Sequence, residues 1–352
     1  MRGQHHAPRP RRLRALPPLR FPRPRAVLSP PPRSAPAPAR RPPPSRRWRD
    51  RTAVTRVAAV GAGILATAAI TMAVGLGGPA RHAAPASYLG VFAPGVPRSY
   101  ANVQAFAAHT GVSPGIVVYY SGWREPFQAR FAATVARHHA VPLVQIDPTG
   151  ISLKAIAAGR YDAYLRSYAA AVRAVKGRVI LSFGHEMNAW WYSWGYPHVS
   201  PAQFVAAWQH IVTVFRHQGA ANVTWLWTVN VIDAHAHIRS LGPWWPGSSY
   251  VTWVGLDGYY TKPSWTFAPL FGPTIKEVRK LTLDPILISE TAAPATSAQP
   301  AKIADLFAGV HAYGLLGLVW FDADGHQDWR LTSRQAFAAF SRGARAYRPP
   351  GS

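Results

Sequence analysis

The chain has 352 residues, with 39 Lys plus Arg against 14 Asp plus Glu, 34 Pro and no Cys. Without cysteine there is no disulfide scaffold, no thiolate zinc site and no cysteine nucleophile. A composition that is 48% apolar, with 14 Trp and 14 Tyr, excludes disorder throughout. The net charge of +25 suggests a polyanionic partner until it is sorted by position: 16 arginines and a single acid, Asp50, fall within residues 1–56.

That first segment also carries 14 of the 34 prolines within residues 1–50, including Pro30–Pro32 and Pro42–Pro44. Proline fixes φ and removes a backbone donor, and the arginines repel one another. Residues 1–56 therefore read as a disordered basic tail of polyproline II character. Only Phe21 and Trp48 are available to stack on bases, so nucleic acid is not the expected partner.

Residues 57–80 contain no charged side chain. At 1.5 Å per residue such a stretch crosses a hydrocarbon core of about 30 Å. Arg46, Arg47, Arg49, Arg51 and Arg56 precede it, which places that side in the cytoplasm and everything after Arg81 outside. The expectation is a single-pass anchor in the cell membrane. A secretory signal cleaved near Ala83–Ala86 is the competing reading, and a buried soluble helix is the third.

From residue 87 to 348 apolar runs alternate with helical patterns. Candidate strands are Tyr88–Phe92, Gly115–Tyr120, Pro142–Ile146, Arg178–Phe183, Asn222–Thr228, Tyr250–Leu256, Pro285–Ser289 and Leu315–Phe321. Between them, Leu165, Tyr168, Ala169 and Val172 fall at helical spacing within 161–175, and Ser200 before Pro201 reads as an N-cap. Eight such units predict a (β/α)8 TIM barrel. A doubly wound sheet would want a Gly-rich phosphate turn after its first strand, and residues 88–95 lack it.

In such a barrel the chemistry belongs at the C-terminal strand ends. Acids are scarce, so those that close strands are informative: Glu186 after strand 4, Asp257 after strand 6, Glu290 after strand 7 and Asp322 after strand 8. Two glutamates facing each other across a barrel mouth suit glycoside hydrolysis with retention, one kept protonated and the other ionised. Trp190, Trp191, Tyr192 and Trp194 crowd the loop after Glu186, and flat aromatics stack on the C–H faces of sugars. Asp233, His235 and His237 read as groove or solvated-loop residues rather than metal ligands. Asp322, Asp324 and Asp328 lack the spacing and terminal Glu of a calcium loop.

The motif GHEMNAWWYSWG (184–195) resembles the strand-4 signature of glycoside hydrolase family 26, a family of retaining (β/α)8 enzymes best known for β-mannanases. AGRYDAYL (158–165), WVGLDGYY (253–260), ILISETA (286–292) and VWFDADGHQDWRL (319–331) extend the resemblance in order. It implies that Glu186 is the general acid/base, Glu290 the nucleophile and His185 a contact to substrate or nucleophile. It further implies that Tyr259 hydrogen-bonds the nucleophile and that Trp194 and Trp320 floor sugar subsites. Asn188, Trp191 and Trp227 join these as candidate substrate-binding residues. The pattern departs where the clan often carries a strand-4 arginine, for Ser182 stands there, and Ala189 replaces the usual glycine after Met-Asn.

The expectation is thus an exported, membrane-tethered retaining endo-β-glycosidase with a monomeric catalytic domain. Its substrate would be a β-1,4-mannan-type polysaccharide, and the chemistry needs no metal or organic cofactor. The alternative from another class is a catalytically inactive carbohydrate-binding barrel at the cell surface.

Overall fold

The structure, a computed structural model, describes residues 87–232 and 236–349. The expected tail (1–56) and membrane segment (57–80) lie outside the described residues. So do Asp233 and His235. Among the described residues no helix is long and apolar enough to cross a membrane.

Eight parallel strands close a barrel in sequence order: β1 (Leu89–Phe92), β2 (Ile116–Gly122), β3 (Val141–Asp147), β4 (Val179–Phe183), β5 (Val223–Asn230), β6 (Trp253–Asp257), β7 (Ile286–Thr291) and β8 (Gly317–Phe321). β1 pairs with β8, Val91 opposite Trp320. Each strand falls on a predicted run, with shifted ends. β6 starts at Trp253 because Tyr250 is held in a turn, its amide donating to the Gly247 carbonyl. β5 runs two residues past Thr228 to Asn230, which matters for the site below.

The outer ring comprises α1 (Ala101–Thr110), α2 (Ala129–Arg137), α3 (Leu153–Ala157), α4 (Asp162–Arg173), α5 (Pro201–His217), α6 (Phe267–Arg279), α7 (Gln299–Ala312) and α8 (Arg334–Ala346). α4 buries Leu165, Tyr168, Ala169 and Val172, the stripe read from the sequence, with Asp162 in its first turn and Arg173 in its last to suit the helix dipole. α5 begins with a full capping box. The Ser200 hydroxyl accepts from the Gln203 amide, and the Gln203 side chain accepts from the Ser200 amide. The β3–β4 connection carries two helices, α3 and α4. Among the described residues, the β5–β6 connection has only the short 3-10 turn Gly242–Trp244.

Side chains alternate across each strand, and the interior divides into two zones. Val118, Leu143, Ile180, Leu226 and Leu287 fill the end near the strand starts as one apolar cluster. Above them the inward positions turn polar: Gln145, Ser182, Thr228, Asp257 and Ser289, all buried. Ser182 donates to Thr228 (3.0 Å) and Ser289 to Asp257 (2.6 Å). Gly255 on β6 allows this crowding, since a Cβ there would stand 2.5 Å from the hydroxyls of both Ser289 and Thr228.

Candidate active site

Two irregularities in the backbone place the two glutamates. After β4, Gly184 and Glu186 both take left-handed φ values, 55° and 52°. Glu186 adopts this conformation at a cost that glycine would escape. It is fixed by its own amide, which donates to the Thr228 carbonyl, and by its carbonyl, which accepts from the Ala189 amide. Between β6 and β7 the register slips: Leu256 pairs with Ile288, yet Asp257 pairs with Glu290. Strict alternation would turn Glu290 away from the interior that Ser289 faces. The extra residue re-aims it, as bulges near active sites do.

Glu186 and Glu290 line the same groove of about 520 Å³ at the C-terminal ends of the strands, together with Trp191, Tyr192, Asn230, Tyr259, Phe321 and Trp329. The surroundings of the two carboxyls differ. Glu186 is 6% exposed. Its Oε1 accepts from Asn230 Nδ2 (2.7 Å) and its Oε2 from Trp191 Nε1 (2.9 Å). Burial pushes its pKa up to about 7; the neighbouring His185 pulls the other way and the Glu290 charge adds to the rise. Glu290 instead receives two phenols, Tyr120 on Oε2 and Tyr259 on Oε1. Burial, then the Glu290 charge, holds both phenols well above their ordinary range, so they remain donors.

Behind this pair lie further buried ionisable groups. Asp257 is fully buried at the end of β6, and burial, with the Glu290 and Glu186 charges, pushes its carboxyl well above the usual range. His185 has Nδ1 3.0 Å from Asp147 Oδ1 and Nε2 3.1 Å from the Tyr192 hydroxyl. Burial works against charge on this ring. The Asp147 carboxylate, followed by Glu186 and Glu290, outweighs it and raises the imidazole above its ordinary value.

The residues singled out in the sequence separate into three groups. Glu186, Glu290, Trp191 and Tyr259 line the groove. His185 and Asn188 lie just beneath it. The Asn188 side chain donates to the Asn230 carbonyl and accepts from the Asn230 amide (both 2.9 Å), so it positions Asn230, which in turn donates to the Glu186 carboxyl. Trp194, Trp227 and Trp320 are buried in the core and line no part of the groove. Trp194 and Trp320, expected to floor subsites, and Trp227, expected to bind substrate, thus stand in the core instead. The Trp194 indole donates to the His185 carbonyl (2.9 Å) and stacks on Tyr192, bracing the motif loop. Trp227 packs against Trp245, and Trp320 donates to the Trp329 carbonyl (3.2 Å).

Besides Trp191 and Tyr259, the groove is lined by the aromatics Tyr192, Trp265, Phe321 and Trp329 and by His326. Tyr120, Asn230 and Asp147 were not among the site residues read from the sequence; Asn230 and Asp147 are the last residues of β5 and β3, and Tyr120 stands two residues before the end of β2. The strand-end rule that located the glutamates would have found Asn230 and Asp147 too. In the β8 loop Asp322 accepts from the Leu331 amide and Asp328 pairs with Arg330, so these acids brace the loop.

The glycosyl hydrolase family 26 profile matches residues 153–279, the span from α3 to α6, which includes Glu186. Endoglucanase H of Acetivibrio thermocellus is 27% identical over 263 residues, covering 70% of this chain and 29% of its own length. The chain thus spans under a third of that relative. Among solved structures, a Bacillus subtilis mannanase superposes with a TM-score of 0.56 at 16% identity, covering 72% of this chain and 84% of that one. The catalytic domain of an endo-β-1,4-mannanase from Bacillus sp. JAMB-750 gives 0.57 at 15% identity, covering 76% and 86%. At such identities the likeness concerns the fold.

Proposed function

We propose that the chain is a member of glycosyl hydrolase family 26, whose profile it matches over residues 153–279, and that it is a retaining glycosidase acting on a β-linked polysaccharide of the β-1,4-mannan type. The observation that carries this reading is the contrast between the two groove carboxyls. Glu186 sits in a pocket that keeps a proton near neutrality, and Glu290 accepts a phenol hydroxyl on each of its oxygens. General acid and nucleophile need these opposite conditions. The mannanase names of the structural neighbours support mannan, while the endoglucanase name of the sequence relative keeps β-glucan in the assay.

In this reading the Glu290 carboxylate attacks the anomeric carbon while Glu186 gives its proton to the departing glycosidic oxygen. Water, deprotonated by Glu186, then releases the sugar from Glu290 with configuration retained. The exposed Trp190 (58%) and Trp191 (48%) flank the acid and supply stacking surface for the leaving part of the chain. The 24 uncharged residues 57–80 behind an arginine cluster support a single-pass anchor with the barrel outside.

The test is a panel of β-mannan, β-glucan and β-xylan digested by the full chain, with the first-formed anomer read by NMR. The β-anomer from mannan is expected, together with loss of about 10⁵-fold in turnover for Glu290→Ala. An α-anomer would remove the double-displacement mechanism. Recovery of the activity in the membrane fraction rather than the medium checks the anchor.

A further inference from the structure

The nucleophile has two oxygens, and the structure gives each its own phenol. Tyr259 donates to Oε1 and lines the groove; Tyr120 donates to Oε2 and does not. Tyr120, two residues before the end of β2, has its ring edge-on to Phe92 (5.3 Å) and tilted against His185 (5.7 Å). Oε1 therefore accepts from the phenol that borders the groove, where a sugar can lie, and Oε2 from the phenol that does not.

We propose that Oε1 is the attacking atom and that Tyr120 is a catalytic residue, its phenol staying on Oε2 through both displacements. The inference rests on the glycosidase reading above. In the first step a bond forms from Oε1 to the anomeric carbon and the bond to the glycosidic oxygen breaks. The released electron pair takes the proton of Glu186. Tyr259 must loosen from Oε1 as that bond forms, whereas Oε2 becomes the carbonyl oxygen of the ester and keeps Tyr120, as a weaker acceptor. In the second step water binds the anomeric carbon, its proton passes to Glu186, and the bond to Oε1 breaks with its electrons returning to the carboxylate. Charge then rebuilds on Oε2 in front of a donor already in place, which is how a fixed dipole lowers a barrier. The Tyr120 hydrogen bond strengthens most in that second step, so its loss should slow release of the sugar more than its attachment.

The chain's only glutamates are Glu125, Glu186, Glu277 and Glu290, so ¹³Cδ-glutamate labelling of the full chain gives four carboxyl resonances. The Glu290 signal is the one lost in Glu290→Gln. In Tyr120→Phe, which keeps the ring and its packing, that signal is expected to move. With an aryl β-glycoside, kcat should fall on the order of 10²-fold, with a burst of aryl alcohol as the glycosyl-enzyme accumulates. A packing role would move neither the resonance nor the burst. An unmoved resonance, or a variant turning over within twofold of the parent without a burst, overturns the role of Tyr120 alone. Failure of the parent chain on every β-glycan overturns the glycosidase reading and this role with it. Should Tyr120→Phe not fold, Tyr120→3-fluorotyrosine keeps the ring and makes a stronger donor. The Glu290 resonance should then move in the opposite direction, and no movement would again overturn the proposal.

Discussion

Inside the barrel, the half nearest the strand starts holds Leu143, Ile180, Leu226 and Leu287, while the half nearest the strand ends holds Gln145, Ser182, Thr228, Asp257 and Ser289. The lower half removes apolar surface from water and requires no partners in return. The upper half is costly. The Gln145 amide and Asp257 Oδ2 are buried there without hydrogen-bond partners, each a loss of order 1–3 kcal/mol. One half supplies stability, and the other spends part of it to hold carboxyls where water is scarce. The two halves should accordingly fail in different assays.

Leu226→Ala should give the largest loss of stability, about 2–5 kcal/mol in urea unfolding, with kcat/KM at low temperature nearly unchanged. A large fall in kcat/KM at full folding would break the division between the halves. Glu186→Gln should do the reverse, removing turnover while stabilising the fold in a pH-dependent way. The folded-state pKa of Glu186 is raised to about 7. Its contribution is therefore fully present below the unfolded value and is lost as pH rises through about 7. The variant should exceed the parent by about 3 kcal/mol at pH 8 and match it near pH 4, checked by Tm across that window. A parent as stable at pH 8 as at pH 5, with the variant no better, would mean that the acid is not strained by burial.

The smallest effect is a shift in a pH profile. Asn230 donates to the ionised form of Glu186. Asn230→Ala should therefore raise the basic limb of kcat/KM by about one pH unit, the equivalent of a charged hydrogen bond. A basic limb that stays in place would sever Asn230 from the protonation of the acid.

The fold was legible because each strand is an apolar run punctuated by helical stripes, as with Leu165, Tyr168 and Val172 on α4. The glutamates were legible because acids are few and two of them close strands. The tryptophans were not. Alternation shows that Trp225 and Trp227 share a face of β5, but not that this face meets the helices while Leu226 and Thr228 turn inward. The inward polar residues Thr228 and Asn230 carry that clue, since polar side chains near a strand's C-terminal end belong to the mouth. The slip that pairs Asp257 with Glu290 has no counterpart in sequence pattern, because a bulge changes register without changing composition. Tyr120 was hidden for a similar reason: beside Tyr119, which is core, it reads as one more buried aromatic.

Glu186 stands in a left-handed backbone conformation that few side chains adopt readily, and its carboxyl is one that the surroundings prefer neutral. This gives genetic drift a direction. In a lineage that used the barrel only to bind sugar, replacement of this residue by glycine or glutamine would meet no resistance from turnover and would gain in foldedness. Position 186 is therefore where loss of catalysis would first become visible in the gene, and this chain still encodes glutamate there.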